Sequence, residues 1–203
     1  MPGKLKLTKN QLKKEKDALK MFQRYLPMLQ LKKQQLQLEL ARIKKQREER
    51  EGIIKQARTE VEGWIEVFAQ SSLKGWLTVK KINTTVGNVA GVEIPVFQEA
   101  EIEKKPYDFM QTPLWVDFAL EKIEAILREK AALSVLKRQE ELVGEELRIA
   151  TQRVNLFEKV MIPRTQENIR VIKIYLGDMQ TAEVVRGKIA KAKAAARREA
   201  LKI

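Results

Sequence analysis

From residue 5 to residue 68 one heptad frame runs without interruption, and this frame is the strongest constraint on what the chain can fold into. Leu5, Leu12, Leu19, Leu26, Leu40, Ile54, Val61 and Phe68 stand at a, with Phe22, Leu29, Leu36, Ile43, Ala57 and Trp64 at d. Fourteen of the nineteen seam positions are apolar. So narrow a stripe fits one facing helix, because packing on a broad core calls for a wider apolar face. A second frame starts at Leu133, with Leu147, Val154, Met161, Tyr175, Ala182, Ile189 and Ala196 also at a. Its d positions are Leu136, Val143, Ala150, Phe157, Val171, Val185 and Ala192. Thr112-Pro113 supplies a start signal for that helix, with threonine as cap and proline at the first helical position.

The stretch between the helices has a different character. Trp76-Leu-Thr-Val and Val92-Glu-Ile-Pro-Val-Phe are rich in strand formers around a turn at Gly87-Asn-Val-Ala-Gly91. The expectation is a hairpin of residues 77–86 against 92–102, with Pro95 marking an edge position. Two strands alone are marginal in water, so the hairpin must pack on the helices or on a partner. The predicted fold is mainly α, a long antiparallel two-helix coiled coil with a short β-hairpin-containing tip between the helices. Its expected divisions are residues 1–73, 74–112 and 113–203, with an overhanging basic end from about residue 182. Trp64, Trp76 and Trp115 all fall near the tip and read as its small core.

Folding the chain about the tip makes facing residue numbers sum to about 186. Arg47 and Arg50, which interrupt the first seam, then face Glu140, which interrupts the second, as an ion pair that locks register. Pro27 and Pro163 fall at nearly one level, and a bend is expected at each. Ile162, Ile169, Ile172, Ile174 and Leu176 spread round the circumference of the second helix, which predicts cover by another subunit. The overhang is rich in alanine and cations, and Arg197 and Arg198 are its candidate partner-facing charges.

Composition narrows the chemistry. Without cysteine or histidine the chain lacks thiol nucleophiles, thiolate metal sites and the commonest acid/base group, so no cofactor, metal or catalytic residue is expected. Gly87-Asn-Val-Ala-Gly91 lacks the Lys-Ser/Thr of a phosphate loop, and pairs such as Glu48-Glu49 and Glu140-Glu141 read as solvated helix faces. The formal charge is +13, carried by the ends: 15 basic against 5 acidic residues over 1–50, and 7 against 2 over 183–203. In an antiparallel hairpin these ends meet, and such a basic end favours an acidic or polyanionic partner. No apolar run approaches the ~20 residues of a membrane span, so a cytoplasmic location without membrane insertion is expected.

Certain segments resemble those of a known family, the D subunits of the V-type and archaeal-type rotary ATPases. They are Leu7-Thr8-Lys9, Leu29-Gln-Leu-Lys-Lys-Gln-Gln-Leu36, Asn88-Val-Ala-Gly-Val-Glu-Ile-Pro95, Arg153-Val-Asn-Leu-Phe-Glu158 and Ile162-Pro163. The resemblance implies a central rotor shaft whose termini enter a ring of catalytic A and B subunits. It implies that the tip meets the F subunit and the component that couples to the membrane ring. ATP chemistry would then belong to the A/B interfaces, and this chain would carry torque without direct contact to nucleic acid. Two other readings stand beside it: the coiled-coil stalk of an export ATPase, which predicts a plain helical hairpin, and a nucleic-acid-binding coiled coil using clusters such as Lys13-Lys14.

Overall fold

In the computed structural model residues 5–62, 76–106 and 115–200 are described, with side chains to residue 197. The helix end expected near residue 73, Trp64, the Thr112-Pro113 start and the Arg198 side chain lie outside the described residues. In chain order the elements are α1 (Lys9–Glu62), β1 (Leu77–Val89), β2 (Val92–Lys104), α2 (Trp115–Leu156), a π-helical turn (Phe157–Met161) and α3 (Ile162–Ala200). The fold is mainly α, with one antiparallel hairpin between long helices, as the heptads and strand formers predict. Contacts divide the chain into two compact units, one of residues 1–30 with 152–203 and one of residues 31–151.

In the unit of residues 31–151, Leu36 and Ile43 of α1 form a buried cluster with Leu136, Val143 and Ala150 of α2. All five are d positions of the two frames. The sixth member is Ile94 of the hairpin, and Val89, Ala90 and Val92 pack beside it. The hairpin therefore lies back along the helices, the packing that two strands marginal in water require. Its base is held where Lys104 pairs with Glu124, and its middle where Gln139 donates to the carbonyl of Pro95. This docking accounts for buried residues of α2 outside the two-helix seam such as Ala132 and Val135, which share a groove with Val96 and Phe97.

The hairpin is also longer and more tightly turned than expected. Its strands close on the Val89–Val92 pair, leaving a two-residue loop of Ala90 and Gly91 with φ of 50° and 81°. Two positive φ values match the right-handed twist of the strands. Asn88 Oδ1 accepts the Gly91 N–H at 3.0 Å and steadies the loop. Gly87 belongs to β1, opposite Ile94, where an added Cβ would come within 2.8 Å of the Val96 side chain. The register slips by one residue between Val79 and Lys81 and again between Asn83 and Thr84, which are bulges that let the ribbon bend.

In the unit of residues 1–30 with 152–203, α1 starts at a threonine cap. Thr8 Oγ1 accepts the Gln11 N–H at 3.2 Å, and the Gln11 side chain donates to Glu15. The pairing with α3 is antiparallel: Phe22 meets Phe157 edge-on at 5.4 Å, and Asn168 reaches Glu15 at 3.4 Å. Leu12, Leu19, Phe22, Leu26 and Leu29 are all half-buried, as one stripe against one partner allows. Pro27 sits on an exposed face within a continuous α1. Pro163 instead follows the π turn, in which the Ile162 N–H donates to the Phe157 carbonyl five residues back. Proline at 163 cannot donate to the carbonyl of Lys159 and crowds it, and a widened turn accommodates both defects.

The π turn corrects the second frame. An uninterrupted heptad puts Val171 and Tyr175 inward. In the structure Ile172 is 0% exposed, Ile169 and Thr165 are buried, and Tyr175 is 41% exposed. From Thr165 to Leu176 the inward positions come one residue later than expected.

Ile94 joins the hairpin to the helix core, so Ile94→Ala is expected to cost about 2–4 kcal/mol and to release the hairpin first. Urea unfolding, with proteolysis of the strands under native conditions, checks both the size and the order.

Candidate functional site

The charged side chains that interrupt the seam lie in the unit of residues 31–151. Arg47 Nη1 donates to Glu140 Oε2 at 2.9 Å, and Arg50 Nη1 donates to Glu129 Oε2 at 2.6 Å. Of the two arginines only Arg47 meets Glu140. Arg50, one helical turn further along α1, meets a residue nearer the start of α2, as antiparallel helices require. Two further pairs bridge the same helices, Lys32 with Glu146 at 2.7 Å and Lys122 with Glu60 at 3.2 Å. The Arg47 pair is the most constrained, since Arg47 Nε is buried with no hydrogen-bond partner and lies 3.7 Å from Glu51 Oε1. A half-buried arginine of this kind depends on its carboxylates more than a solvated one does.

Between hairpin and helices in this unit runs a groove of about 560 Å³ lined by Arg50, Ile53, Phe97, Glu129, Leu136 and Gln139. Of its charged groups Arg50 and Glu129 already pair with each other, and Gln139 already holds Pro95. Neither the Gln139–Pro95 contact nor the Lys32–Glu146 pair was foreseen from the sequence. The available signal was Gln139, a polar residue next to Glu140 on the inward side of α2.

The residues expected to face a partner separate into two groups. Ile169 and Ile172 are buried and Ile162 and Leu176 half-buried within their own unit, because the π turn brings them onto the inward face. Ile174, 53% exposed, remains on the surface. Beyond Ala182 every described side chain of α3 is exposed. That stretch carries Val184, Val185 and Ile189 among Arg186, Lys188, Lys191, Lys193 and Arg197, with Glu183 its one acid among the described residues. On the exposed surface of α3 nearer Pro163, the hydrogen bonds from Arg170 hold the Glu167 carboxyl below its ordinary range. Among the described residues no helix is long and apolar enough to cross a membrane.

These surfaces belong to a recognisable family. Residues 11–192 match the pattern that defines the ATP synthase D subunit, a match over most of the chain. The chain belongs to the ATP synthase D-subunit family. Among relatives, the V-type ATP synthase D subunit of Borreliella burgdorferi is 47% identical over 190 residues, covering 93% of this chain and 94% of that protein. The protein of the same name from Chlamydia pneumoniae is 33% identical over 197 residues, covering 95% and 94%. That from Chlamydia felis is 31% identical over 203 residues, covering 98% of each. For this member of the D-subunit family the match takes in both helix pairings, the hairpin and most of the exposed end of α3.

Replacing Glu140 by Ala leaves Arg47 Nη1 without its carboxylate in a half-buried place, and a loss of about 1–3 kcal/mol is expected. A cycle with Arg47→Ala, read by chemical denaturation, should return a coupling of roughly 1 kcal/mol. No coupling would mean that the pair is a solvated seam defect.

Proposed function

We infer that this chain is the central-stalk rotor component of a V/A-type rotary ATPase. It transmits torque between the catalytic A/B ring and the membrane ion-translocating ring, coupling ATP synthesis or hydrolysis to proton or sodium transport. The observation that carries this reading is the family match over residues 11–192 on a chain whose α3 ends in a helix exposed on every side. An isolated helix of that length is marginal in water, so full exposure argues for a surrounding partner. Its cations and its Val184, Val185 and Ile189 suit the inside of an A/B ring. The hairpin-bearing unit is then the part that meets the F subunit and the component that couples to the membrane ring.

In this role the chain is a peripheral, non-catalytic part of the membrane-bound complex. It would bias each A/B interface through differential contacts as it turns. The cross-helix ion pairs of Arg47, Arg50 and Lys32 support such a role. Sliding one helix along the other would separate each from its carboxylate. The docked hairpin weighs against the stalk of an export ATPase, for which a plain helical hairpin is expected.

Co-expression with the A, B and F subunits is the test. A stoichiometric complex is expected, together with no salt-sensitive retention on DNA. Removing residues 183–203 should leave binding to the F subunit intact and uncouple ATP turnover from ion movement. Failure of the full chain to join the complex would sink the rotor assignment.

A further inference from the structure

We propose that the π turn at Phe157–Met161 is a phase setter, which decides which face of α3 points inward and hence which face its exposed end shows to a partner. The inference rests on helix geometry and goes beyond the rotor reading. In an α-helix continued from the inward-facing Val154 and Phe157, the heptad reaches Val171 and Tyr175. The inward residues are instead Thr165, Ile169 and Ile172, each buried, followed by the half-buried Leu176. A π turn holds about one residue more than an α turn. The residues beyond it therefore arrive at the seam one position late.

The local sequence fixes where the extra residue goes. Pro163 has no N–H for the Lys159 carbonyl, and the Ile162 N–H reaches back to Phe157 instead. Thr165 Oγ1 donates to the Met161 carbonyl at 2.7 Å, fastening the first turn of α3 to the last residue of the π turn. Beyond this point the unshifted phase would take Asn168, Val171 and Tyr175 and the late one takes Ile169, Ile172 and Leu176, so the late phase is the more apolar. A helix continued without a break from α2 cannot present that phase, and the π turn at Phe157–Met161 is where the backbone takes up the residue that brings it inward. Because α3 has no buried side chain among its described residues beyond Ala182, the orientation of Val184, Val185 and Ile189 is inherited from that choice.

Two single-residue deletions separate a phase setter from a local irregularity. Glu158, in the π turn, and Glu167, in regular α-helix, are both exposed. Deleting Glu158 removes the extra residue, so the turn closes as α-helix and Ile172 stays inward. Deleting Glu167 rotates Ile172 outward. The chain has no native cysteine, so Ile172→Cys and, upstream of the turn, Val154→Cys can each be read by maleimide labelling of the full-length protein. Both thiols are expected to resist labelling in the undeleted chain and in the Glu158 deletion. In the Glu167 deletion the Ile172→Cys thiol should lose its protection while the Val154→Cys thiol keeps it. Labelling of either thiol in the Glu158 deletion, or equal protection of the Ile172→Cys thiol in both deletions, overturns the proposal.

Discussion

A pair of helices has no third layer, and each can hide only one stripe of side chains. Most features of this chain follow from that limit. Among the described side chains of α1 full burial is reached only at Leu36, Ile43 and Ile54, all in the unit that contains the hairpin. In the other unit the α1 seam residues from Leu12 to Leu29 stay half-buried. A seam this thin gains its stability from length, and its specificity must come from side chains that tolerate only one partner. Arg47 against Glu140, Arg50 against Glu129 and Phe22 against Phe157 are among the side-chain contacts that cross from helix to helix.

The hairpin relieves the limit locally. By laying Ile94 and Ala100 where only solvent would otherwise lie, it turns two layers into three over part of α2. The wide buried face of α2 and the narrow stripe of α1 are two sides of one arrangement. Gln139 satisfies the backbone carbonyl of Pro95, so the ribbon docks without an unpaired acceptor there.

Much of this was legible in the sequence, and the failures have physical causes. All the a and d positions of α1 from Leu12 to Val61 are buried or half-buried, because the heptad of an uninterrupted helix depends only on residue spacing. The hairpin's existence was legible from strand formers on either side of a turn signal. Its tight loop was not, because Ala90 in a left-handed conformation goes against local preference and is held by packing and by Asn88. The shifted frame of α3 was passed over by a heptad carried unbroken from α2, although Pro163, and Asn168 beside Ile169, marked the place. The Arg47 contact followed from counting residues about the tip, whereas the carboxylate for Arg50 depended on the reach of a long side chain, which spacing does not encode.

The bare end of α3 bears on how the chain fares before it finds partners. Residues 183–197 carry five arginine or lysine side chains on a helix with no neighbouring layer to resist local opening. Each is a cleavage point for a trypsin-like protease, and a brief fraying suffices to admit one. A partner that encloses this end would close all five at once. Length at the C-terminus would then record assembly: chains that found their partners stay whole, and orphans are trimmed.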